Sequence, residues 1–172
     1  MERADLEREL ERLHPGSFGW AVACCRYDTS EAEETLQACY LKVLEGRARY
    51  DGRSSVKTWL FGVIRHTAAE RRRRSLFALS ALSRLFLGET NALAPAPQQA
   101  VEDSERRSRL RSLLGALPPR QREVLELVFY QELTVDEAAG VMGVSVGSAR
   151  VHYARGKRRL LASLGGPVDE LA

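Results

Sequence analysis

Apolar residues recur at helical spacing along almost the whole chain, with no sustained alternation of period two and no Asn-Gly or Asp-Gly hairpin signal. Leu6, Leu10 and Leu13 space a first short amphipathic helix, expected to stop at His14-Pro15-Gly16, and a second apolar segment follows from Phe18 to Tyr27. Ser30, with Glu33 three residues later, reads as a capping box opening a helix to about Glu45, with Ala32, Leu36, Cys39, Tyr40 and Val43 as its buried stripe. Beyond the loop at Gly46 and Tyr50 to Ser55, the stretch from Val56 to Arg74 reads as one long helix. Trp59, Leu60, Val63, Ile64, Thr67 and Ala68 share one of its faces.

The pattern loosens from Ser75 to Glu105. Leu76 to Leu87 is apolar and Ala92 to Gln99 has linker composition, which places a boundary here: a first domain over 1–75, a linker over 76–105 and a second domain over 106–172. In the second, Leu110, Leu113, Leu114 and Leu117 build a helix stopped by Pro118-Pro119, and Gln121 to Tyr130 builds another around Val124, Leu125, Val128 and Phe129. Thr134 caps a short helix with Glu137 as its capping-box partner, and Gly143 ends that helix because glycine adopts the left-handed conformation of a sharp turn. Ser145 caps a last helix running to about Leu164. Small residues at Ala138 and Ala139, the Gly143 turn and the Ser145 cap together form a helix-turn-helix pattern, which points to duplex DNA. The expected fold is all-α: two small helical domains on a flexible linker, the C-terminal one a helix-turn-helix.

Composition removes several function classes. No segment approaches the roughly 20 uninterrupted apolar residues of a bilayer span, and the start MERADLEREL is charged, so no direct membrane insertion and a cytoplasmic location are expected. Cys24, Cys25 and Cys39 sit in apolar stretches without CxxC or HxxxC spacing, which reads as buried thiols and not as a disulfide framework or a zinc site. Glu33, Glu34 and His66 lie on long helices without a glycine-rich loop, a nucleophile motif or a metal-ligand set, so neither catalysis nor a cofactor is expected.

Charge adds a second layer. Residues 1–45 carry 5 basic and 10 acidic side chains, whereas residues 46–90 carry 10 and 3, suggesting one surface for a protein and another for a polyanion. The run Arg71 to Arg74 is either a solvated helix end favoured by the dipole or a phosphate-contacting patch. From Gly143 to Gly165 there are five basic residues and no acidic one. On that final helix Val146, Ala149 and Tyr153 turn inward. Ser148, Val151 and Arg155 are placed for base edges, and Arg150, Lys157, Arg158 and Arg159 for phosphates.

Two stretches carry a family resemblance. SEAEETLQACYLKVLEGRARYDGRSSVKTWLFGVIRHTAAERRRR resembles region 2 of the bacterial extracytoplasmic-function (ECF) RNA polymerase sigma factors, and LGALPPRQREVLELVFYQELTVDEAAGVMGVSVGSARVHYARGKRRL resembles their region 4, in the family's order. The resemblance implies docking on core RNA polymerase through Glu31, Glu34, Gln37 and Leu41. It implies melting and reading of the -10 promoter element through Arg53, Lys57, Trp59, Arg65, His66, Arg71, Arg72 and Arg73. It also implies reading of the -35 element through the final helix, with Ser145, Ser148, Arg150, Val151, His152, Arg155, Lys157 and Arg158 as candidates. The implied partners are core polymerase, promoter DNA and an anti-sigma factor, for which Leu76 to Leu87 is a candidate contact. Departures from the family pattern are Glu34-Thr35 in place of Asp-Leu, Ala38 in place of an acidic residue, His66 in place of Asn and Ser148-Ala149 in place of Thr-Val. The competing reading is a stand-alone helix-turn-helix regulator that needs no polymerase.

Overall fold

A computed structural model describes residues 3–85 and 103–164, and the described residues form helices without a strand. Helix α1 (Arg3–Cys24) is followed by α2 (Thr29–Leu44) and α3 (Val56–Leu85). After the undescribed stretch come α4 (Asp103–Gly115), α5 (Pro119–Leu125), a π-helical turn (Glu126–Tyr130), α6 (Val135–Met142) and α7 (Val146–Ser163).

Helix α1 runs through Pro15, where a stop was expected. Proline inside a helix forfeits one backbone bond and costs about 3 kcal/mol, so something must offset it. The apolar stripe does not end at Leu13: Leu10, Leu13, Ser17, Trp20 and Ala21 are all buried at steps of three, four, three and one, one continuous face against α2 and α3. Trp20 alone, fully buried and donating from Nε1 to the Phe61 carbonyl at 3.0 Å, recovers about 2–3 kcal/mol.

Two further local expectations shift. Helix α2 is capped by Asp28, whose side chain accepts from the Glu31 N–H at 3.0 Å, and not by Ser30, which lies inside the first turn. Between α1 and α2 the chain reverses through Arg26 and Tyr27, both left-handed (φ 56° and 67°), a conformation that costs an L-residue roughly 1–2 kcal/mol. Tyr27 is held there by long-range contacts: its hydroxyl donates to Glu126 and its ring lies 5.8 Å from the Arg111 guanidinium. Helix α3 continues past Arg74 to Leu85 and is capped by Ser55, whose Oγ accepts from the Thr58 N–H at 3.1 Å. Leu76 and Phe77 on this extension are exposed; the side chains of residues 79–85 and the whole of 86–102 lie outside the described residues, as does most of the candidate anti-sigma contact.

The C-terminal half follows its local signals closely. The Thr134 and Glu137 capping box forms, Gly143 ends α6 at φ 65°, and Ser145 caps α7. Helix α5 starts at Pro119, a first-turn position that needs no N–H. Its continuation widens into the π turn, closed by the Gln131 N–H donating to the Glu126 carbonyl at 3.2 Å. Val146, expected inside, is exposed; Gly156 takes the buried place because α7 crosses so close to Gln121 and Leu125 that a Cβ there would lie 3.1 Å from Leu125 Cδ1.

The two halves share buried residues. Leu36, Leu60, Phe61 and Ile64 of the first belong to one apolar cluster with Val124, Leu127, Ala138 and Val141 of the second, while Leu114, Leu117 and Leu125 form a smaller cluster beneath α7.

Candidate nucleic-acid interface

Helix α3 divides lengthwise into three stripes, and this division sorts the candidates for the -10 element. One stripe, with Leu60, Ile64, Thr67 and Ala68, is buried among the helices. A second faces solvent and, with the loop before α3, lines a cleft of about 680 Å³ that contains Arg53, Trp59 and His66 together with Gly62 and Val63. The third faces the C-terminal half and carries Lys57 and Arg65.

The cleft is built from the loop upward. Gly46 and Gly52 (φ 71° and 75°) turn the chain where other residues would be strained, and the Tyr50 hydroxyl donates to the Ser54 carbonyl at 2.5 Å, closing the loop on itself. Tyr50 thereby meets Trp59 with ring centroids 5.4 Å apart at 58°, a tilted pair that presents an aromatic wall. Along the other wall Lys42 donates to Glu70 at 2.6 Å and to Thr67 Oγ1 at 3.2 Å. The hydrogen bond from Lys42 holds the Glu70 carboxyl below its ordinary range, so that wall is a neutralised pair. A planar group could stack on Trp59 with Arg53 and His66 at the mouth. Tyr50 and Lys42 are parts of this cleft that the sequence reading did not single out. The signal for Tyr50 was its position as the lone aromatic in a Gly, Arg, Asp and Ser loop just before the Trp59 helix.

The arginine run is not a uniform patch. Arg71 donates from Nε to Glu31 at 2.9 Å and also pairs with Glu34, so it bridges to α2, and these bonds raise its pKa. Arg74 pairs with Glu70 at 2.5 Å. Arg72 lines a separate 350 Å³ cavity with Arg26 and Arg122 at the junction of the halves, and Arg73 is exposed.

On α2 the candidates Glu34, Gln37 and Leu41 form one exposed row, with Leu41 54% accessible, while Glu31 begins the row and is engaged by Arg71. On α7 Ser148, Val151, Arg155 and Arg158 share the outward stripe, Val151 being 47% exposed. Arg150, at its edge, pairs with Asp136 of α6 at 3.2 Å, and the Lys157 ammonium lies 5.2 Å above the Tyr153 ring. His152 is half-buried on the other flank, and Ser145 is committed to its cap, accepting from the Ser148 N–H at 3.2 Å. The helix N-terminus and the outward stripe thus project together from a helix-turn-helix whose crossing rests on buried Ala138, Ala139 and Ala149.

No group of His, Cys, Asp and Glu side chains among the described residues could hold a metal ion, and none of their helices is long and apolar enough to cross a membrane. Cys39 is buried and its thiol is pushed up to about 12 by desolvation, as expected of an inert core thiol.

Comparison with known proteins agrees with this geometry. Residues 10–76 match the model of sigma-70 region 2 and residues 107–160 that of sigma-70 region 4. RNA polymerase sigma factor YlaC of Bacillus subtilis is 30% identical over 127 residues, spanning 72% of this chain and 73% of that protein. RNA polymerase sigma factor CarQ of Myxococcus xanthus is 31% identical over 137 residues, spanning 78% and 75%. Among solved structures, the sigma factor RpoE in complex with the anti-sigma factor NepR from Bartonella quintana shares the fold with a TM-score of 0.71 at 23% identity, over 96% of this chain and 99% of that one. Two region models in the right order, relatives matched over about three quarters of their length and an all-helical two-domain fold lead to one conclusion: the chain belongs to the ECF family of RNA polymerase sigma factors.

Proposed function

We propose that this sigma factor docks on core polymerase through Glu31, Glu34, Gln37 and Leu41 of α2, opens and reads the -10 element at the α3 cleft, and reads the -35 element with α7. The observation that carries the reading is the conjunction, in one chain, of an aromatic cleft at Trp59 and an acid-free recognition helix. A cleft of this kind suits a base taken out of the stack: unstacking costs a few kcal/mol, and stacking on an aromatic ring is worth about 1–3 kcal/mol per base. Ser148, Val151 and Arg155 of α7 reach base edges in the major groove, and Arg150, Lys157 and Arg158 hold phosphates on either side.

The protein supplies position and strand separation, with no catalytic step of its own, and acts in the cytoplasm beside polymerase. An anti-sigma factor is the regulating partner, in line with the sigma factor RpoE from Bartonella quintana, which was crystallised with the anti-sigma factor NepR. The units proposed for these tasks are 1–75 for docking and the -10 element, 76–105 as connection and 106–172 for the -35 element. The test is reconstitution: purified protein added to core polymerase gives a stable complex and promoter-dependent run-off transcripts. Binding to duplex DNA without either would instead make the chain a stand-alone regulator.

A further inference from the structure

Of the consecutive arginines on α3, Arg71 and Arg74 are each answered by a carboxylate, Glu31 with Glu34 in one case and Glu70 in the other. Arg72 is not. It follows Arg65 by close to two full turns, and so lies on the stripe of α3 that faces the C-terminal half and not on the one that carries Trp59 and His66. There it borders the cavity of about 350 Å³ together with Arg26, from the turn between α1 and α2, and Arg122 of α5.

Three cations from three separate segments thus meet at one cavity. Arg26 and Arg72 are exposed and Arg122 is half-buried, so all three can be reached from solvent. None of them has a hydrogen bond or an ion pair with another described residue. Like charges gathered in this way repel, and an anion between them relieves the repulsion.

Two carboxylates also border the cavity, and both are engaged elsewhere. Glu123 accepts from Arg65 at 3.1 and 3.4 Å and from Arg120 at 3.3 Å. Glu126 accepts from the Tyr27 hydroxyl, and burial pushes its carboxyl above the ordinary range, which favours its neutral form. Arg122 acts on Glu126 through space only.

The remaining lining sets the size of the anion. Trp20 and Ala23, both buried, supply the inner surface, and Leu76 and Pro119 add apolar surface from α3 and α5. A cavity of this volume stands at the low end for small-molecule sites, which suits a compact ligand better than a nucleic-acid strand. Each guanidinium is a planar fork that takes two phosphate oxygens at once. Three such forks call for more terminal oxygens than inorganic phosphate offers, and for as many as pyrophosphate has.

We propose that the cavity between Arg26, Arg72 and Arg122 binds a diphosphate group, either free as pyrophosphate or carried on a nucleotide. Arg72 is then a ligand-binding residue outside the -10 cleft. The site is independent of the promoter reading, since neither the Trp59 cleft nor the outward stripe of α7 contributes to it.

The test uses the full chain and isothermal titration calorimetry with inorganic pyrophosphate at constant ionic strength. Wild type is expected to bind one pyrophosphate, with a melting temperature that rises with its concentration. Inorganic phosphate is expected to bind about tenfold more weakly. Arg72→Gln, Arg122→Gln and Arg26→Asn, the last tolerating left-handed backbone, are each expected to weaken pyrophosphate binding by about tenfold or more. Arg73→Gln, at the neighbouring arginine that does not line the cavity, is expected to stay within about twofold of wild type. Melts without ligand show that each variant is folded, and Arg122→Lys, which keeps the charge but not the fork, is expected to fall between wild type and Arg122→Gln. ADP distinguishes the sources: binding no tighter than pyrophosphate identifies the free anion, and tighter binding identifies a nucleotide. Absence of saturable pyrophosphate binding, or an equal loss in Arg73→Gln, would overturn the site. So would weaker binding of a mixed-sequence single-stranded oligonucleotide by Arg72→Gln when wild type ignores pyrophosphate, which would make Arg72 a holder of DNA phosphates.

Discussion

The Arg71 guanidinium donates from Nε to Glu31 Oε1 at 2.9 Å, joining the first of four consecutive arginines on α3 to the first carboxylate of the exposed acidic row on α2. One residue of the basic run is thereby spent inside region 2, and the other arginines have different surroundings. Arg71→Ala is expected to lower stability by about 0.5–1 kcal/mol, the value of a partly exposed ion pair, and to leave the salt dependence of promoter binding by the polymerase complex unchanged. Arg73→Ala is expected to do the reverse, with stability within about 0.5 kcal/mol and the salt slope reduced by roughly one. Thermal melts and binding over a salt series check both; a reduced slope for Arg71→Ala would return that residue to DNA.

On α7 the residues proposed to read bases and those proposed to hold phosphates share the outward stripe. Arg155→Ala is expected to cost about 1–3 kcal/mol on the preferred -35 sequence and much less on a sequence altered at the contacted base, whereas Arg158→Ala weakens all sequences alike. Competition binding with a set of single-base -35 variants distinguishes them. Equal loss on every variant for Arg155→Ala would make it a phosphate contact.

Glu126 is a buried carboxyl between the halves, accepting from Tyr27 with Arg122 and Arg111 nearby, and desolvation raises its pKa despite these partners. The folded state therefore favours the protonated form: its contribution is fully present below the unfolded pKa and is lost as pH rises through the folded value. Glu126→Gln, which keeps an oxygen for Tyr27, is expected to raise the melting temperature at pH 7.5 and to converge with wild type near pH 4. The same offset at both pH values would mean that the charge is not the cause.

Three glycines of the helix-turn-helix are expected to respond differently to alanine. At Gly156 the new methyl meets Leu125 Cδ1 at 3.1 Å and the Gln121 carbonyl oxygen at 3.3 Å, and overpacking of this kind costs about 1–3 kcal/mol. At Gly143 there is open space but φ is 65°, so the cost is about 1–2 kcal/mol of backbone strain. At Gly147 nothing lies within 4 Å and the backbone is helical, so alanine is expected to stabilise by about 0.5–1 kcal/mol. Chemical denaturation of the three variants gives the order directly.

How much was legible differs between the halves for an identifiable reason. The cap at Thr134, its partner Glu137, the Gly143 turn and the Ser145 cap are interactions across five residues or fewer, and each formed as its residues required. Near Ser30 the same rule failed because Asp28, two residues earlier, competes for the cap and accepts from the Glu31 N–H. Pro15 misled in the opposite direction: the local cost was read, but the compensating stripe depended on the small polar Ser17, which becomes a core residue only once α2 and α3 cover it.

The candidate site shows the same division. Residue chemistry and helical period sufficed to place an acidic row on one helix, aromatic and basic groups on the next, and an acid-free stripe on the last, because period and charge are properties of a single element. The sequence by itself thus determined that the fold is helical, which charge each helix face carries and to which family the pattern belongs. Only the tertiary structure decided that Trp59 and His66 open into a cleft, that Arg71 turns to α2, and that Lys57 and Arg65 are held by Gln131 and Glu123. The physical reason is that a charged side chain on a helix has several partners within reach. Which one it takes is set by the packing of elements distant in sequence, through contacts that no spacing rule encodes.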